Sequence, residues 1–304
     1  MNILVTVDKF GSDARSILDC VCLGKHSVYY NNNGRKLNRQ ELLELISITS
    51  PEIIIAGTEA YDKDVLDECK NLKVISRVGI GLDSIDLKEC ESRNIVVENT
   101  PDAPTNAVAE LTIAQIFNTI RRVQEVDRSI RDKNWFRYVG KDLNRCTVGI
   151  IGYGRIGSKV CKLLSNMCSS IYVNEINESI QVQQPAVRAS LNSIIEKCDI
   201  ISIHVPLTSA TKNLISIREF NKVKDDCVII NTSRGGIINE NHLYDWLSKN
   251  KNARAAIDVF EQEPYVGKLT ELNNCYLTAH LGSCTIKSRL DMEIGSVENI
   301  KKYL

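Results

Sequence analysis

The chain has 304 residues, enough for two domains with their own cores, and its hydrophobic (43%) and charged (25%) fractions are those of an ordinary globular enzyme. Lys plus Arg and Asp plus Glu balance at 38 each, so no net field draws it to nucleic acid or anionic lipid. Met1-Asn2-Ile3-Leu4-Val5-Thr6-Val7-Asp8 carries no basic leader and no apolar run reaches membrane-spanning length, so a cytoplasmic protein is expected.

In chain order, β-rich runs at residues 3–7, 27–30, 52–56, 73–76 and 95–98 alternate with amphipathic segments such as 38–48 and 62–70. That alternation predicts a parallel sheet with helices on both faces. The breaker cluster Asn99-Thr100-Pro101-Asp102-Ala103-Pro104 closes the series. Residues 105–122 then read as a long, largely apolar helix, followed by a charged helix reaching Lys133. A second series places strands at 147–151, 171–173, 200–204, 227–231, 253–257 and 276–278, and 285–303 reads as a closing helix. The predicted fold class is α/β: two Rossmann-like or flavodoxin-like domains with parallel sheets and an interdomain cleft, where small ligands tend to bind. If the closing helix returns to the first domain, that domain is discontinuous, residues 1–100 plus 285–304, and the second takes 101–284.

The second domain opens on a strand that runs into Gly152-Tyr153-Gly154-Arg155-Ile156-Gly157 and a helix, with Glu175 eighteen residues after the last glycine. Gly152 permits a tight turn, Gly154 lets the backbone approach a pyrophosphate, and Gly157 lets the helix pack on the strand. The first helical amides, at Arg155 and Ile156, face the phosphates, and Glu175 can take both hydroxyls of an adenosine ribose. A carboxylate there repels the 2′-phosphate of NADP, and Ile176-Asn177 offers no arginine to receive it, so the expected cofactor is NAD.

Three further stretches follow predicted strands, at the sheet edge where ligands sit. Asn231-Thr232-Ser233-Arg234-Gly235-Gly236 offers the planar fork of Arg234 to a carboxylate. Asp258-Val259-Phe260-Glu261-Gln262-Glu263-Pro264 and Thr278-Ala279-His280-Leu281-Gly282-Ser283 place Glu263 and His280 near one another. A carboxylate bonded to an imidazole fixes its orientation and favours the protonated ring, which makes an acid/base. Taken singly, each of these residues would more often be structural. His204, before Val205-Pro206, lines the adenine side in this reading, while His26 and His242 read as surface or packing residues. The eleven cysteines have no C-x-x-C pair or zinc spacing and read as reduced, mostly buried thiols. Only Cys284, four residues after His280, could make a thiol–imidazole pair, against the better use of His280 above. No metal, flavin or pyridoxal site is evident.

With these residues on view, the chain closely resembles the D-isomer-specific 2-hydroxyacid dehydrogenases over nearly its whole length. The motifs are Arg77-Val78-Gly79-Ile80-Gly81-Leu82-Asp83-Ser84-Ile85-Asp86, Asn106-Ala107-Val108-Ala109-Glu110, the glycine turn, His204-Val205-Pro206, and the stretches holding Arg234, Glu263 and His280. The resemblance implies that Arg234 binds and polarises the substrate, that His280 is the acid/base and that Glu263 is its partner. It implies that the Ile80 and Gly81 amides hold the substrate carboxylate, that Thr232 and Asp258 lie near the nicotinamide, and that His204 and Pro206 line the cofactor. Within the family the likeness is greatest to D-3-phosphoglycerate dehydrogenases, where an arginine matching Arg77 can approach a substrate phosphate. Against this, an arginine that some of them carry near Gly57-Thr58 is absent, and the sequence ends at Leu304 without their C-terminal regulatory domain. The expected reaction interconverts a D-2-hydroxy acid and its 2-keto acid, with 3-phosphoglycerate and 3-phosphohydroxypyruvate a candidate pair. Protonated His280 would serve reduction and the neutral ring oxidation. The alternative is an NAD(H)-sensing, corepressor-like interaction protein with little turnover. Residues 121–134 with Trp135-Phe136 resemble the family's dimer arm, so a homodimer is expected; an interdomain helix is the other reading.

Overall fold

A computed structural model describes all 304 residues, which separate into two compact units: Met1–Pro104 with Thr285–Leu304, and Thr105–Cys284. The first begins β1 (Asn2–Val5), α1 (Ser12–Cys22), β2 (Ser27–Tyr30), α2 (Arg39–Thr49), β3 (Ile53–Ala56), α3 (Lys63–Glu68), β4 (Val74–Arg77), α4 (Leu87–Ser92) and β5 (Val96–Glu98). Its five strands lie in the order β2-β1-β3-β4-β5, all parallel. Successive side chains point to opposite faces. Leu4, Ile54 and Ile75 enter one core, and Ile3, Val5, Ile53, Ile55 and Val74 the other. Helices cover both faces, so these strands read as unbroken apolar runs without the alternation of a half-exposed sheet. Helix starts follow their side chains: Asn38 accepts from the Glu41 amide at 3.0 Å while Glu41 accepts from the Asn38 amide at 2.9 Å, and Asp62 caps α3.

The second unit holds α5 (Thr105–Arg121), α6 (Val123–Arg131), β6 (Thr147–Ile151), α7 (Arg155–Leu164), β7 (Ser170–Asn174), β8 (Ala186–Arg188), α8 (Leu191–Lys197), β9 (Ile200–Ile203), α9 (Ile217–Phe220), β10 (Val228–Asn231), α10 (Glu240–Lys249), β11 (Arg254–Ile257) and β12 (Cys275–Leu277). The seven strands run β8-β7-β6-β9-β10-β11-β12, all parallel, so the order reverses between β6 and β9. In such sheets the crevice beyond the strand ends at the reversal is where ligands bind. α5 buries three polar residues, Thr112, Gln115 and Thr119; both threonines return their hydroxyls to carbonyls four residues back, at 2.8 Å.

The long helix expected over 105–122 stops at Arg121, because Arg122 adopts φ 56° and redirects the chain into α6. α6 is pinned through Glu125, which accepts from the buried Arg254 Nε at 2.8 Å and from Tyr276 Oη at 2.7 Å. It ends at Arg131, short of Lys133, and residues 132–142 form neither helix nor strand. The short strand β8 is absent from the sequence reading.

The closing helix α11 (Ile286–Ile300) packs in the first unit. Val297 and Ile300 are wholly buried in the core shared with β1 and β3, each worth about 1.5–3 kcal/mol of burial. Ser76 Oγ donates to the Ser296 carbonyl at 2.9 Å, and Lys302 pairs with Glu98 at 2.6 Å. No helix is long and apolar enough to cross a membrane. All eleven cysteines are free, eight of them buried; burial pushes the Cys69 and Cys161 thiols up to about 12.

Candidate active site

β6 delivers the chain into Gly152, whose φ of 94° strains any side chain. A Cβ on Gly152 would also lie 2.5 Å from the His204 carbonyl oxygen, and one on Gly157 would lie 2.0 Å from the Gly152 oxygen. Backbone packed on backbone demands both glycines. Gly154 differs: its φ is −74° and a Cβ there would meet nothing within 4 Å. The space beside it is open, and α7 begins there without a side-chain cap, leaving its first amides available. An open cradle facing uncapped helix amides fits a pyrophosphate.

Glu175 directly follows β7 and turns back to this cradle. Its Oε2 accepts from the Tyr153 amide at 2.9 Å and its Oε1 from the Asn177 amide at 2.8 Å. Burial alone would raise its pKa, but the Asn177 and Tyr153 amides and the Arg188 charge outweigh it and hold the carboxyl below its usual range. The residues present therefore fit a dinucleotide, with an ionised carboxylate where the ribose diol belongs. His204 follows β9 across the reversal; its Nε2 lies 2.8 Å from Ser202 Oγ and its buried Nδ1 has no partner. Burial pushes this ring down to about 3, so it is neutral at physiological pH. Pro206 is exposed, and its carbonyl accepts from Thr211 Oγ1 at 2.6 Å.

Beyond β10, the buried Asn231 organises the turn that carries Arg234. Its Oδ1 accepts from the Ser233 amide at 3.1 Å and from Ser233 Oγ at 2.7 Å, while its Nδ2 donates to the Arg234 carbonyl at 2.9 Å. Thr232 is tied to Thr112 of α5 at 2.9 Å. A Cβ on Gly235 would lie 2.0 Å from the Phe260 carbonyl oxygen, so this glycine lets the Arg234 turn press against the segment that holds Glu263.

His280 Nδ1 lies 2.8 Å from Glu263 Oε2, and Glu263 Oε1 accepts from the Phe260 amide at 3.1 Å. The exposed ring thus keeps Nε2 for another molecule. His280 has φ 53°, an unusual value for a residue with a Cβ. The loop is held by Asp258, 1% exposed: Oδ1 accepts from Thr278 Oγ1 at 2.6 Å and the Leu281 amide at 2.7 Å, and Oδ2 from the Gly282 amide at 2.9 Å. The Cys284 thiol reaches the His280 carbonyl at 3.7 Å, away from the ring nitrogen that Glu263 occupies. His242 Nδ1 accepts from the Ile217 amide at 3.2 Å, at the start of α9, and His26 lies 3.3 Å from the N-terminal amine.

The structure thus gathers the glycine turn, Glu175, His204, Arg234, Asp258, Glu263 and His280 in the second unit, at the carboxyl ends of its strands. Arg77, Ile80 and Gly81 belong to the first unit, at the end of β4. There Gly79 exchanges hydrogen bonds with Thr100, Asn99 Nδ2 donates to the Ile80 carbonyl at 2.8 Å, and Arg77 Nη1 donates to the Val78 carbonyl. The Ile80 and Gly81 amides donate to no protein acceptor. Sequence reasoning passed over Asn231 and Arg188. An asparagine ending a strand before a Ser-Arg-Gly-Gly turn was the available signal for the first; Arg188 had none.

Comparison with known proteins agrees with this geometry. The family profile for the D-isomer specific 2-hydroxyacid dehydrogenase, NAD binding domain, matches residues 113–282. A glyoxylate reductase of Thermofilum pendens is 38% identical over 86% of this chain and 80% of its own length. A D-3-phosphoglycerate dehydrogenase of Methanocaldococcus jannaschii is 34% identical over 100% of this chain, which spans 57% of that relative. Among solved structures, a D-lactate dehydrogenase from Aquifex aeolicus, complexed with NAD and lactic acid, superposes with a TM-score of 0.83 at 25% identity, covering 99% of this chain and 95% of that one.

Proposed function

The chain belongs to the D-isomer-specific 2-hydroxyacid dehydrogenase family and is an NAD-dependent oxidoreductase of D-2-hydroxy acids; from that premise we propose which residues act and on what. Bound nicotinamide supplies the hydride for reduction and takes it in oxidation. Arg234 holds the substrate carboxylate and polarises the 2-keto oxygen. Protonated His280 gives its Nε2 proton to that oxygen in reduction, and the neutral ring takes the hydroxyl proton in oxidation. Glu263 keeps the ring oriented through its bond to Nδ1. Gly152, Gly154, Arg155, Ile156, Gly157, Glu175, His204, Pro206, Thr232 and Asp258 bind the cofactor or support the residues that do. The first unit contributes the Ile80 and Gly81 amides to the substrate carboxylate and Arg77 to a distal phosphate. The observation that carries this reading is the 2.8 Å bond between His280 and Glu263 in the unit that also holds the glycine cradle. Nothing in the geometry favours the dinucleotide-sensing alternative.

For substrate we propose the pair 3-phosphohydroxypyruvate and 3-phosphoglycerate. Arg77 at the end of β4 and a match that runs along the whole of this chain to a phosphoglycerate dehydrogenase, 57% of whose length it spans, support it. The test follows NADH absorbance with 3-phosphohydroxypyruvate, hydroxypyruvate, glyoxylate and pyruvate, with His280→Ala as control. A preference for the phosphorylated acid that Arg77→Met abolishes is the expected result; turnover confined to unphosphorylated acids removes that substrate and the Arg77 role.

We also propose a homodimer. Beyond α6 the chain exposes Trp135 (79%), Phe136 (57%) and Val139 (94%), large apolar side chains within five residues of one another, and exposed apolar surface of this kind marks interaction sites. Sedimentation of wild type and Trp135→Asp would show a dimer lost in the variant. Eleven free cysteines support a reducing, cytoplasmic setting.

A further inference from the structure

The strand beside the ribose carboxylate ends in a cation that faces the same loop. Arg188 closes β8, the edge strand, and stands in register with Val173 of β7. Its exposed guanidinium extends past the end of β7 and is caged by carbonyls of the segment that begins at Glu175. Nη1 donates to the Glu175 carbonyl, and Nη2 donates to the Ile180 carbonyl at 2.5 Å and the Asn177 carbonyl at 3.3 Å. The segment is further fixed by Asn177 Oδ1, which accepts from the Ser179 amide at 3.0 Å, and by the Gln183 amide, which donates to Tyr153 Oη at 3.2 Å. The ribose loop is therefore built around one anion that faces the cradle and one cation behind it.

These two charges have opposite effects on the same ligand atom. A carboxylate at the ribose accepts from the 2′-hydroxyl and repels a 2′-phosphate, whereas an arginine nearby accommodates the phosphate. The next side chain, Ile176, is 91% exposed and offers neither. With Glu175 in place, its charge keeps phosphate out and the guanidinium is left to main-chain carbonyls. Those are neutral acceptors, and a phosphate makes shorter, charge-assisted, bidentate bonds with the same fork. A long side chain at an exposed strand end can exchange one set for the other.

We infer that Arg188 is the selectivity partner of Glu175: it holds the ribose loop while the carboxylate is present and is the latent receptor for a 2′-phosphate once the carboxylate is removed. The Arg188 charge also helps keep Glu175 ionised, which ties the two residues together in the wild-type site. The inference rests on the NAD site described above and adds to it a residue from a different strand.

Calorimetric titration of the protein with NADH and NADPH tests it without reference to turnover. Wild type should bind NADH and reject NADPH. Glu175→Ser should gain NADPH affinity by about tenfold or more, the worth of new charge-assisted bonds. Adding Arg188→Met should cancel that gain, while Glu175→Ser with Arg188→Lys should keep most of it, since an ammonium also serves phosphate as a point charge. A merely structural Arg188 predicts that the methionine weakens NADH and NADPH alike and leaves their ratio unchanged. A gain that survives Arg188→Met, or no gain in Glu175→Ser, overturns the proposal. Wild type that binds no NADH would overturn the dinucleotide site itself, and the two failures are thereby distinguished.

Discussion

Asp258 holds His280 in place without touching its ring. Both carboxylate oxygens are taken by the loop that carries the histidine, through the Leu281 amide at 2.7 Å and the Gly282 amide at 2.9 Å, and the Asp258 carbonyl accepts from the His280 amide at 2.9 Å. Asp258→Asn would place an amide donor against one of these donors. We expect a lower melting temperature, since a buried donor loses its acceptor, and a kcat lowered about a hundredfold, the usual effect of misplacing a reacting group by an ångström. Unchanged kcat would show that the loop holds its shape unaided.

Glu263 acts on the ring directly. In Glu263→Gln the side-chain oxygen must face the Phe260 amide, so the new NH₂ faces His280 Nδ1 and fixes the proton at Nε2. A neutral ring in that tautomer cannot accept the substrate proton. Oxidation of the hydroxy acid should fall by about 10²–10⁴, the ordinary contribution of acid–base catalysis. Oxidation at the wild-type rate would remove Glu263 from the mechanism.

The glycine turn separates folding from binding. Gly157→Ala sets a Cβ 2.0 Å from the Gly152 oxygen and should destabilise the second unit, read as a lower melting temperature. Gly154→Ala meets nothing within 4 Å and should melt like wild type while losing NADH affinity. Equal NADH affinity in Gly154→Ala would mean that the open space is not where the pyrophosphate lies.

Glu59 supplies a pH-dependent contribution to stability in the first unit. It is 3% exposed, accepts from Thr6 Oγ1 at 3.0 Å, and burial pushes its pKa above the ordinary 4.5. An acid raised in the folded state contributes stability that is complete below its unfolded pKa and is lost as pH rises through the folded value. Glu59→Gln keeps an acceptor for Thr6 and cannot ionise. Its melting temperature should match wild type at pH values below about 4.5 and exceed it progressively at higher pH. A variant that is less stable at neutral than at acid pH, relative to wild type, contradicts this.

Legibility in the sequence followed how local each constraint was. Gly152, Gly154 and Gly157 could be read because helix, strand and turn lie within a few residues of one another. The strand-end positions of Arg234 and His280 could be read because each follows an apolar strand. β8 could not: three residues long, with only Ala186 buried, it has no periodicity to detect, and Arg188 went unnoticed with it. The end of α5 was misplaced because Arg122 takes a left-handed conformation that its side chain does not announce. The loop clamp of Asp258 joins residues over twenty positions apart, and only the fold brings its donors to it.

The closing helix gives the molecule an awkward order of manufacture. Ser76 waits for Ser296, and the flank of the early strands that α1 covers only in part stays incomplete until Thr285–Leu304 has been made. At roughly 5–20 residues per second, the intervening stretch alone delays that cover by on the order of ten seconds or more. During this interval the part of the Ile3, Val5, Ile53 and Ile55 face that Val297 and Ile300 will close is open to any passing apolar surface, while the second unit can already have folded. Lesions in α11 should therefore show themselves first as lost yield in the cell, in a protein whose surviving copies turn over normally.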